Sequence, residues 1–258
     1  MKQENTQGGD MRIYGDCKQL MSEIFRDVLE MGIRVHPHSM QNKVVVGDDN
    51  FSTMEITNYD YCLLSLKEED FLFLFDPTCR EWIQHEILER VGPIPVNPGE
   101  AYKIRPHVWD QFLVDGKFDY TYSERIAGKG TFHKIANEIR VNPDSRQLLM
   151  AIWDREDIKS IGGKKRIPCS IYYQFMVREG QLNIIYNQRS ADVVTHFGND
   201  VWLAHAMMRS MVVAVNSFPE YKEVPLREGY LYHNIGSLHV YKRDLDKLKA
   251  CVSDLNLL

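Results

Sequence analysis

The stretch Pro168-Cys169-Ser170-Ile171-Tyr172-Tyr173-Gln174-Phe175 decides how this chain folds, together with Arg189, which lies 20 residues after Cys169. The pattern predicts two strands, Ser170 to Val177 and Leu182 to Arg189, around an Arg-Glu-Gly turn. A guanidinium beside a thiol lowers the pKa of the thiol toward neutrality, and the thiolate is the attacking form of cysteine. The planar guanidinium can also hold a phosphate. The stretch therefore predicts a nucleophilic cysteine beside an anion site.

The composition of the 258 residues is that of a folded, slightly acidic protein. Apolar residues make up 44% and the net charge is -5, which argues against a general nucleic-acid binder but leaves room for a local phosphate pocket. The five cysteines form no Cys-x-x-Cys pair, and an odd number in a chain of this length argues against a disulfide framework. The polar first ten residues predict no signal peptide, and no apolar run reaches the roughly 20 residues of a membrane helix. We expect a reduced, cytoplasmic protein whose residues 1–10 are disordered.

Helical and strand patterns mix along the chain without regular alternation, which indicates an α+β domain rather than a doubly wound one. Apolar periodicity predicts four helices, over residues 20–31, 81–90, 132–141 and 200–216. Further strands are predicted over 44–57, broken by a turn at 47–50, over 148–153 and over 231–241. No linker or repeat divides the chain, so we expect one domain spanning residues 1–258.

Four motifs follow one another in the second half of the chain. They are Asn142-Pro143-Asp144-Ser145-Arg146, Arg189-Ser190-Ala191-Asp192-Val193-Val194, Phe197-Gly198-Asn199-Asp200 and Gly236-Ser237-Leu238-His239-Val240-Tyr241. Together with Cys169 they resemble the thymidylate synthase superfamily, and most closely its phage-type branch, the deoxycytidylate (dCMP) hydroxymethylases. The resemblance runs from about residue 80 to 245, and the first 75 residues match poorly. One such motif would be a weak signal, but four in the right order make coincidence improbable.

The resemblance implies a fold and a chemistry. The fold would be a thymidylate synthase-like mixed, twisted sheet packed with helices, dimerising through the sheet. Cys169 would add to C6 of a pyrimidine nucleotide, and C5 would then take a one-carbon unit from 5,10-methylenetetrahydrofolate. A hydroxymethylase lets water complete the product, whereas a synthase uses hydride from the folate. From the residues we expect no metal, no membrane and no nucleic acid as main partner. The setting that the resemblance implies is the host cytoplasm of a virus that modifies its DNA precursors.

Two carboxylates would join Cys169 as catalytic residues. Glu86 matches the glutamate that shuttles protons in the family and would order the attacking water; the alternative is a solvated glutamate on a helix. Asp200 stands where uridylate-specific synthases have asparagine. Its carboxylate can accept from the amino group of cytosine, and a mispaired buried polar group costs roughly 1–3 kcal/mol. The alternative for Asp200 is an N-cap of the helix predicted over 200–216.

The resemblance also implies a set of binding residues. Arg189, Ser190 and Arg146 would hold the phosphate, with Arg146 supplied by the partner of a homodimer. Gln147 stands where the family has a second arginine, and Arg34 or Lys43 could replace the missing N-terminal phosphate loop. The remaining assignments are His239 and Tyr241 for the sugar hydroxyl, Asn199 and Asp192 for the substrate, and Trp109, Tyr122 and Asp192 for the folate.

Other interpretations remain open from the sequence. Within the same chemistry, the chain could methylate as a synthase does, or could hydroxymethylate CMP or dUMP. A different class is a catalytically silent nucleotide- or RNA-binding homologue, although the acidic charge and the intact Cys169, Glu86 and Asp200 argue against it. His239 and Tyr241 could be ordinary core residues. Lys164-Lys165-Arg166 is typical of a solvated loop, and His36 and His38 lack further metal-ligand spacing.

Overall fold

A computed structural model describes residues 11–162 and 165–254 of the chain. The disorder expected for residues 1–10 lies outside the described residues. The fold is α+β: a mixed sheet is packed with helices, as the sequence predicts. The ten strands among these described residues are β1 (Arg12–Tyr14), β2 (Ile33–Val35), β3 (Ser39–Met40), β4 (Lys43–Val44), β5 (Thr53–Leu63), β6 (Leu149–Ala151), β7 (Ser170–Arg178), β8 (Gln181–Gln188), β9 (Ala191–Asp192) and β10 (Arg227–Tyr241).

The main sheet runs in the order β1-β5-β10-β8-β7-β6, with β2 paired to β5 and β9 paired to β10. Strand β10 is its centre. It runs antiparallel to β5, from Leu231 opposite Leu63 to Tyr241 opposite Thr53, and parallel to β8. Strands β3 and β4 form a separate small hairpin. Because β5 lies beside β10, the N-terminal residues that match the family poorly belong to the same sheet as the motifs.

Seven α-helices accompany these strands in the described part of the chain. They are α1 (Cys17–Met31), α2 (Cys79–Val91), α3 (Pro106–Trp109), α4 (Tyr122–Ile126), α5 (Thr131–Val141), α6 (Phe197–Asn216) and α7 (Lys242–Asp254). Helix α6 is the most buried, because apolar residues recur on nearly all of its sides, from Phe197 to Val215. It packs against α2, α5, β8 and β10, which places its N-terminal turn beside the ends of the two strands.

Most predicted elements are confirmed. Strands β7 and β8 meet at the predicted turn, where Glu179 and Gly180 both have positive φ, as a tight hairpin turn requires. The helices predicted over 20–31, 81–90 and 132–141 correspond to α1, α2 and α5, each within three residues.

Two predictions differ from the structure. The strand, turn and second strand predicted over 44–57 are found only in part: β4 ends at Val44 and pairs with β3, a short 3-10 turn occupies Asp49–Phe51, and β5 begins at Thr53. Helix α6 begins at Phe197 and not at Asp200, because the buried Phe197 and Gly198 already have helical backbone. A Cβ on Gly198 would lie 1.8 Å from the carbonyl oxygen of Leu72, so only glycine allows this close packing.

Candidate active site

One cavity of about 350 Å³ lies where β10, β7 and β8 meet α2 and the start of α6. Ten of the twelve residues predicted for the site line it. They are Cys169, Glu86, Asp200, Arg189, Ser190, Asp192, His239, Tyr241, Trp109 and Tyr122. Residues from both halves of the sequence therefore converge on one space, which is large enough for a small-molecule site.

Cys169 stands immediately before β7, and Arg189 immediately after β8. The Arg189 backbone N–H donates to the carbonyl of Cys169 at 2.8 Å. Its guanidinium donates from Nε to the Pro168 carbonyl and from Nη2 to the Ile167 carbonyl, each at 3.0 Å. Arg189 therefore fixes the backbone that carries the thiol, and Nη1 is the guanidinium nitrogen that these two bonds leave for an anion.

The pKa of the Cys169 thiol differs from the expectation. Burial raises it above its ordinary value, and the positive charges of Arg189 and Arg166 oppose that shift without overcoming it. The negative charge of Asp200 raises it further. The prediction that Arg189 brings this pKa toward neutrality is therefore wrong, because the apolar surroundings of the sulfur outweigh the guanidinium.

Gln41 is the residue that directly contacts the thiol. It occupies the turn between β3 and β4 with a positive φ of 54°. Its Nε2 donates to Sγ of Cys169 at 3.7 Å, and its Oε1 accepts from the Ile167 N–H at 3.4 Å. A donor to sulfur favours the thiolate. The small N-terminal hairpin thus contributes to the site, although nothing in its sequence signals this.

Glu86 lines the cavity and its side chain is only 16% exposed. Arg90, one helical turn later on α2, donates from Nε to Glu86 Oε1 at 2.9 Å. The Arg90 guanidinium also donates to the Tyr173 hydroxyl at 3.3 Å and lies 4.0 Å from the centre of the Tyr122 ring. The solvated alternative for Glu86 is therefore wrong, and a buried cation holds its carboxylate at the cavity wall.

Asp200 lies in the first turn of α6, where His196 precedes the helix as its N-cap residue, so the N-cap alternative for Asp200 is wrong. Gln188, the last residue of β8, donates from Nε2 to Asp200 Oδ2 at 2.6 Å. Burial raises the pKa of Asp200 to about 6, while this hydrogen bond and the charge of Arg90 oppose the shift. Asp200 therefore changes its charge close to neutral pH.

His239 and Tyr241 alternate on β10 and both line the cavity. Their rings meet edge to face, with centroids 5.1 Å apart. The Ser237 hydroxyl donates to the Glu55 carboxylate at 2.8 Å, and the same oxygen lies 3.2 Å from His239 Nδ1. Alternate strand residues share one face, so both side chains can address one ligand group, as the sequence predicts.

An aromatic wall closes the other side of the cavity. Trp82 and Trp109 stack with their ring centroids 5.9 Å apart. Arg166 lies among four rings, with its guanidinium carbon 4.4 to 5.8 Å from their centres; they belong to Trp109, Phe112, Phe118 and Tyr120. Arg166 is buried, so the prediction of a solvated loop is wrong for this residue, and Lys164 lies outside the described residues. The rings stabilise the cation by cation–π contacts.

Tyr122 is presented by a regular local structure. Thr121 and Glu124 form a reciprocal capping box at the start of α4, and Tyr122 is its first residue. The Ser170 hydroxyl donates to the Tyr122 hydroxyl at 3.2 Å. The Ser-Glu-Arg that follows Tyr122 is therefore helical, and Tyr122 lines the cavity.

Four residues considered from the sequence do not reach the cavity. Arg146 is exposed, and Asn199 is buried with its amide donating to the Thr195 carbonyl at 3.4 Å. The two candidates for a replacement phosphate loop are engaged elsewhere, Arg34 with Asp49 and Lys43 with Gln111. Neither lines the cavity.

Sequence reasoning missed Gln41, Arg90, Gln188 and Arg166. Arg90 carried a usable signal, because residues four apart on a helix are neighbours and Glu86 precedes it by four. Gln188 directly precedes the predicted phosphate arginine. Among residues 11–162 and 165–254, no cluster of three or more His, Cys, Asp or Glu side chains could hold a metal ion. Within those same ranges no helix is both apolar enough and long enough to span a bilayer.

Comparison with known proteins identifies the family. The sequence profile of the family named thymidylate synthase matches residues 100–255, well over half of the chain. The chain belongs to the thymidylate synthase family. The family match contains all four motifs, while Glu86 and Gln41 lie on the N-terminal side of it.

Similar curated proteins agree with the family. The chain is 31% identical over 170 residues to the thymidylate synthase of Mycoplasma pneumoniae and 24% identical over 170 residues to that of Mycoplasma genitalium. Each match covers 59% of this chain and 55% of the relative, so the chain matches about half the length of these relatives. The thymidylate synthase of Oenococcus oeni is 31% identical over 121 residues, 46% of this chain and 34% of the relative. The closer likeness to hydroxymethylases stays a prediction.

Proposed function

We propose that this protein transfers a one-carbon unit from 5,10-methylenetetrahydrofolate to C5 of dCMP and that water completes the product, 5-hydroxymethyl-dCMP, with release of tetrahydrofolate. The observation that carries the proposal is the carboxylate of Asp200 in the same cavity as the Cys169 thiol. The folate supplies a carbon at the oxidation level of formaldehyde. The protein's own residues would make C5 reactive, choose the base and admit the water.

The covalent step uses Cys169. Its thiolate Sγ would bond to C6 of the base, which makes C5 a nucleophile for the one-carbon unit. The bond from the one-carbon unit to one folate nitrogen breaks as C5 bonds to the carbon; the C5 proton then leaves, and the bond from the carbon to the second folate nitrogen breaks. Water oxygen then bonds to the carbon and Sγ departs from C6. The C5 proton and one water proton end on the two folate nitrogens that released the carbon, so atoms and charges balance.

Asp200 would read the base. In its ionised form Oδ1 accepts a hydrogen bond from the 4-amino group of cytosine, because Oδ2 is already bonded to Gln188. The same oxygen would face the O4 acceptor of uracil without a proton between them. An unpaired contact of this kind costs roughly 1–3 kcal/mol, which corresponds to about 5- to 150-fold in preference.

Glu86 would hold the attacking water and move protons, and Arg90 would keep its carboxylate in place. Arg189 and Ser190 would contact the phosphate, and His239 and Tyr241 the sugar hydroxyl. Asp192 would contact both ligands; Asn199, although outside the cavity, would support the substrate side through α6. The folate would lie against Trp109 and Tyr122, on the aromatic wall.

We further propose that residues 1–258 form one domain and that two copies pair through the sheet. The exposed position of Arg146 supports pairing, because a residue outside its own cavity can contact a phosphate only in another copy. The five cysteines are free thiols, which suits a reducing cytoplasm, and a virus that modifies DNA precursors is the setting we favour.

A second candidate function is methylation of dUMP. It is supported by the names of the three similar proteins described above, which are thymidylate synthases. The two candidates share Cys169, Glu86 and the folate and differ in the base and in the last step. Hydride from the folate would replace water, and dihydrofolate would replace tetrahydrofolate as the released product.

Product analysis by mass spectrometry tests the proposal. The protein is incubated with 5,10-methylenetetrahydrofolate and an equal mixture of dCMP, dUMP and CMP. A hydroxymethyl product from dCMP, with tetrahydrofolate and no dihydrofolate, is the expected result. A methyl product from dUMP with dihydrofolate would replace the proposal by the synthase. Absence of any product with all three nucleotides would contradict both, and Cys169→Ser serves as the inactive control.

A further inference from the structure

A histidine outside the cavity is connected to Asp200 by hydrogen bonds. His233 on β10 has no solvent exposure and does not line the cavity. Its imidazole is stacked between the rings of Tyr186, with centroids 4.5 Å apart, and Phe197, with centroids 6.1 Å apart. No step of the proposed reaction uses it. Burial lowers the pKa of His233 to about 3, so the ring is neutral and carries one N–H.

The bonds of this ring have one consistent direction. Gln188 contacts Asp200 Oδ2 at 2.6 Å, and an ionised carboxylate only accepts, so the amide NH2 of Gln188 faces Asp200. The amide oxygen then faces His233 Nε2 at 3.0 Å, and this nitrogen must donate. Nδ1 consequently carries no proton and accepts from the Tyr61 hydroxyl at 2.9 Å. Tyr61, His233, Gln188 and Asp200 thus form one directed chain, which we call the Tyr61–Asp200 chain.

We propose that His233 is a positioning residue for base recognition: its Nε2–H holds the Gln188 amide in the orientation that keeps Asp200 an acceptor, and so it disfavours a base with a 4-oxo group. The proposal rests on the proposed function, because it assigns the base preference of that same site. The hydrogen bonds on either side of Gln188 fix its orientation, since an amide that can rotate by half a turn has no fixed donor side.

Loss of the Nε2–H has a defined consequence for Asp200. A Gln188 amide that is released from the Nε2–H can turn its NH2 group away from Oδ2. The donor that favours the ionised carboxylate is lost, so the neutral acid becomes more populated. A neutral carboxyl can donate to the O4 atom of uracil, which the carboxylate cannot do. The preference for cytosine therefore decreases without any change in a residue that contacts the base.

The first test is the tautomer itself, measured on the full chain with nitrogen-15-labelled histidine by two-bond proton–nitrogen correlation. The His233 signals are assigned among the nine histidines by their loss in His233→Phe. We expect a proton on Nε2 and none on Nδ1 at pH 7. A proton on Nδ1 would overturn the proposal, whatever reaction the protein catalyses.

The second test is the ratio of the dissociation constants for dUMP and dCMP, measured by titration calorimetry without folate. Tyr61→Phe removes one hydroxyl oxygen and frees Nδ1 of His233 to carry the proton. We expect the preference for dCMP to decrease about 2- to 10-fold in this variant, which corresponds to the net free energy of one hydrogen bond. In His233→Phe the decrease is at least as large. A folded Tyr61→Phe protein with an unchanged ratio would overturn the proposal.

Tyr14→Phe is the matched control, since its hydroxyl bonds to that of Tyr59 at 2.7 Å in the same core but has no link to Asp200. It removes a buried hydroxyl and should leave the ratio unchanged; a decrease equal to that of Tyr61→Phe would assign the effect to general core damage and overturn the proposal. A wild-type protein that does not prefer dCMP would contradict the proposed function instead, and the tautomer measurement still tests the chain of bonds.

Discussion

Arg90 donates from Nε to Oε1 of Glu86 at 2.9 Å while its side chain is 3% exposed. A buried guanidinium is stable only when its partners compensate for lost hydration, and here the partners are Glu86, the Tyr173 hydroxyl and the Tyr122 ring. The same charge also acts on Asp200, opposing the rise of its pKa. One buried cation thus serves the two carboxylates that the proposed reaction uses.

Replacing this cation should reduce both stability and turnover. In Arg90→Met, Glu86 loses its partner in a buried setting, and breaking a buried pair in this way costs about 3–5 kcal/mol. We expect kcat to decrease more than 10-fold, because the Glu86 carboxylate is no longer held. Urea unfolding and steady-state kinetics measure the two effects.

The matched control is Arg105→Met, which breaks the buried pair between Arg105 and Asp76, 2.8 Å apart, outside the cavity. This variant should be destabilised to a similar degree while a protein folded at low temperature keeps its kcat. Equal losses of kcat in both variants would contradict a specific role of Arg90.

Gln41→Leu should make Cys169 less reactive. The Gln41 N–H contacts Sγ, and without it only the charges of Arg189 and Arg166 oppose the effects of burial and of Asp200, so the pKa of the thiol rises further. We expect the rate of alkylation by iodoacetamide at pH 7 to decrease about 2- to 10-fold, which is the range of one hydrogen bond. Peptide mass spectrometry assigns the rate to Cys169 among the five cysteines. Gln111→Leu, which changes a cavity glutamine that does not contact sulfur, should leave the rate unchanged.

The sequence predicts this site only where the signals are local. Strands β7 and β8 and their turn are predicted from the strand pattern on either side of an Arg-Glu-Gly turn. The order of the motifs assigns Cys169, Arg189 and Asp200 to the site of one family. Gln41 could not be found in this way, because it reaches Cys169 across 128 positions and its turn has no motif. The sequence predicts the start of α6 three residues late, since the contact between Gly198 and Leu72 that extends the helix is tertiary.

The contacts of charged side chains also divide into those that a local sequence pattern predicts and those that only the folded structure shows. Lys164-Lys165-Arg166 has the composition of a solvated loop, and only the folded structure shows that four aromatic rings from residues 109–120 surround Arg166. Cation–π contacts of this kind have no fixed spacing in sequence. The Arg90–Glu86 pair, in contrast, has the spacing of one helical turn and was accessible to sequence reasoning.

Asp200→Asn should stabilise the protein at neutral pH. The pKa of Asp200 is about 6 in the folded protein, above its ordinary value, so between about pH 4 and 6 the folded state binds more protons than the unfolded state. Stability therefore decreases as pH rises through that window, and the penalty is complete above it. The amide has no such penalty, so at pH 8 the variant should gain up to about 3 kcal/mol, and below pH 4 the gain should disappear.

Urea unfolding at pH 4 and pH 8 checks this prediction. Asp192→Asn is the control, because Asp192 Oδ1 accepts from the backbone N–H of Val194 at 3.0 Å and of Thr195 at 3.3 Å, and the weaker amide acceptor should not stabilise the protein. A gain for Asp200→Asn that is equal at both pH values would show that it does not come from ionisation. Asp200→Asn should also shift the nucleotide preference of the protein toward dUMP.

Two inactive variants should restore activity when mixed, if Arg146 serves the cavity of a partner. Arg146→Ala lacks the phosphate contact and Cys169→Ala lacks the nucleophile. In a mixed dimer one cavity carries both changes, and the other has an intact Cys169 and receives an intact Arg146. Random exchange in an equal mixture makes about half of the dimers mixed, so about a quarter of all cavities should be active. Mixing after mild denaturation and refolding, with light scattering to confirm the dimer, measures this. Recovery would place Arg146 in the partner's site; no recovery from two inactive variants that each form stable dimers would mean that Arg146 acts within its own chain, and an Arg146→Ala protein that is active before mixing would mean that it has no role in the cavity.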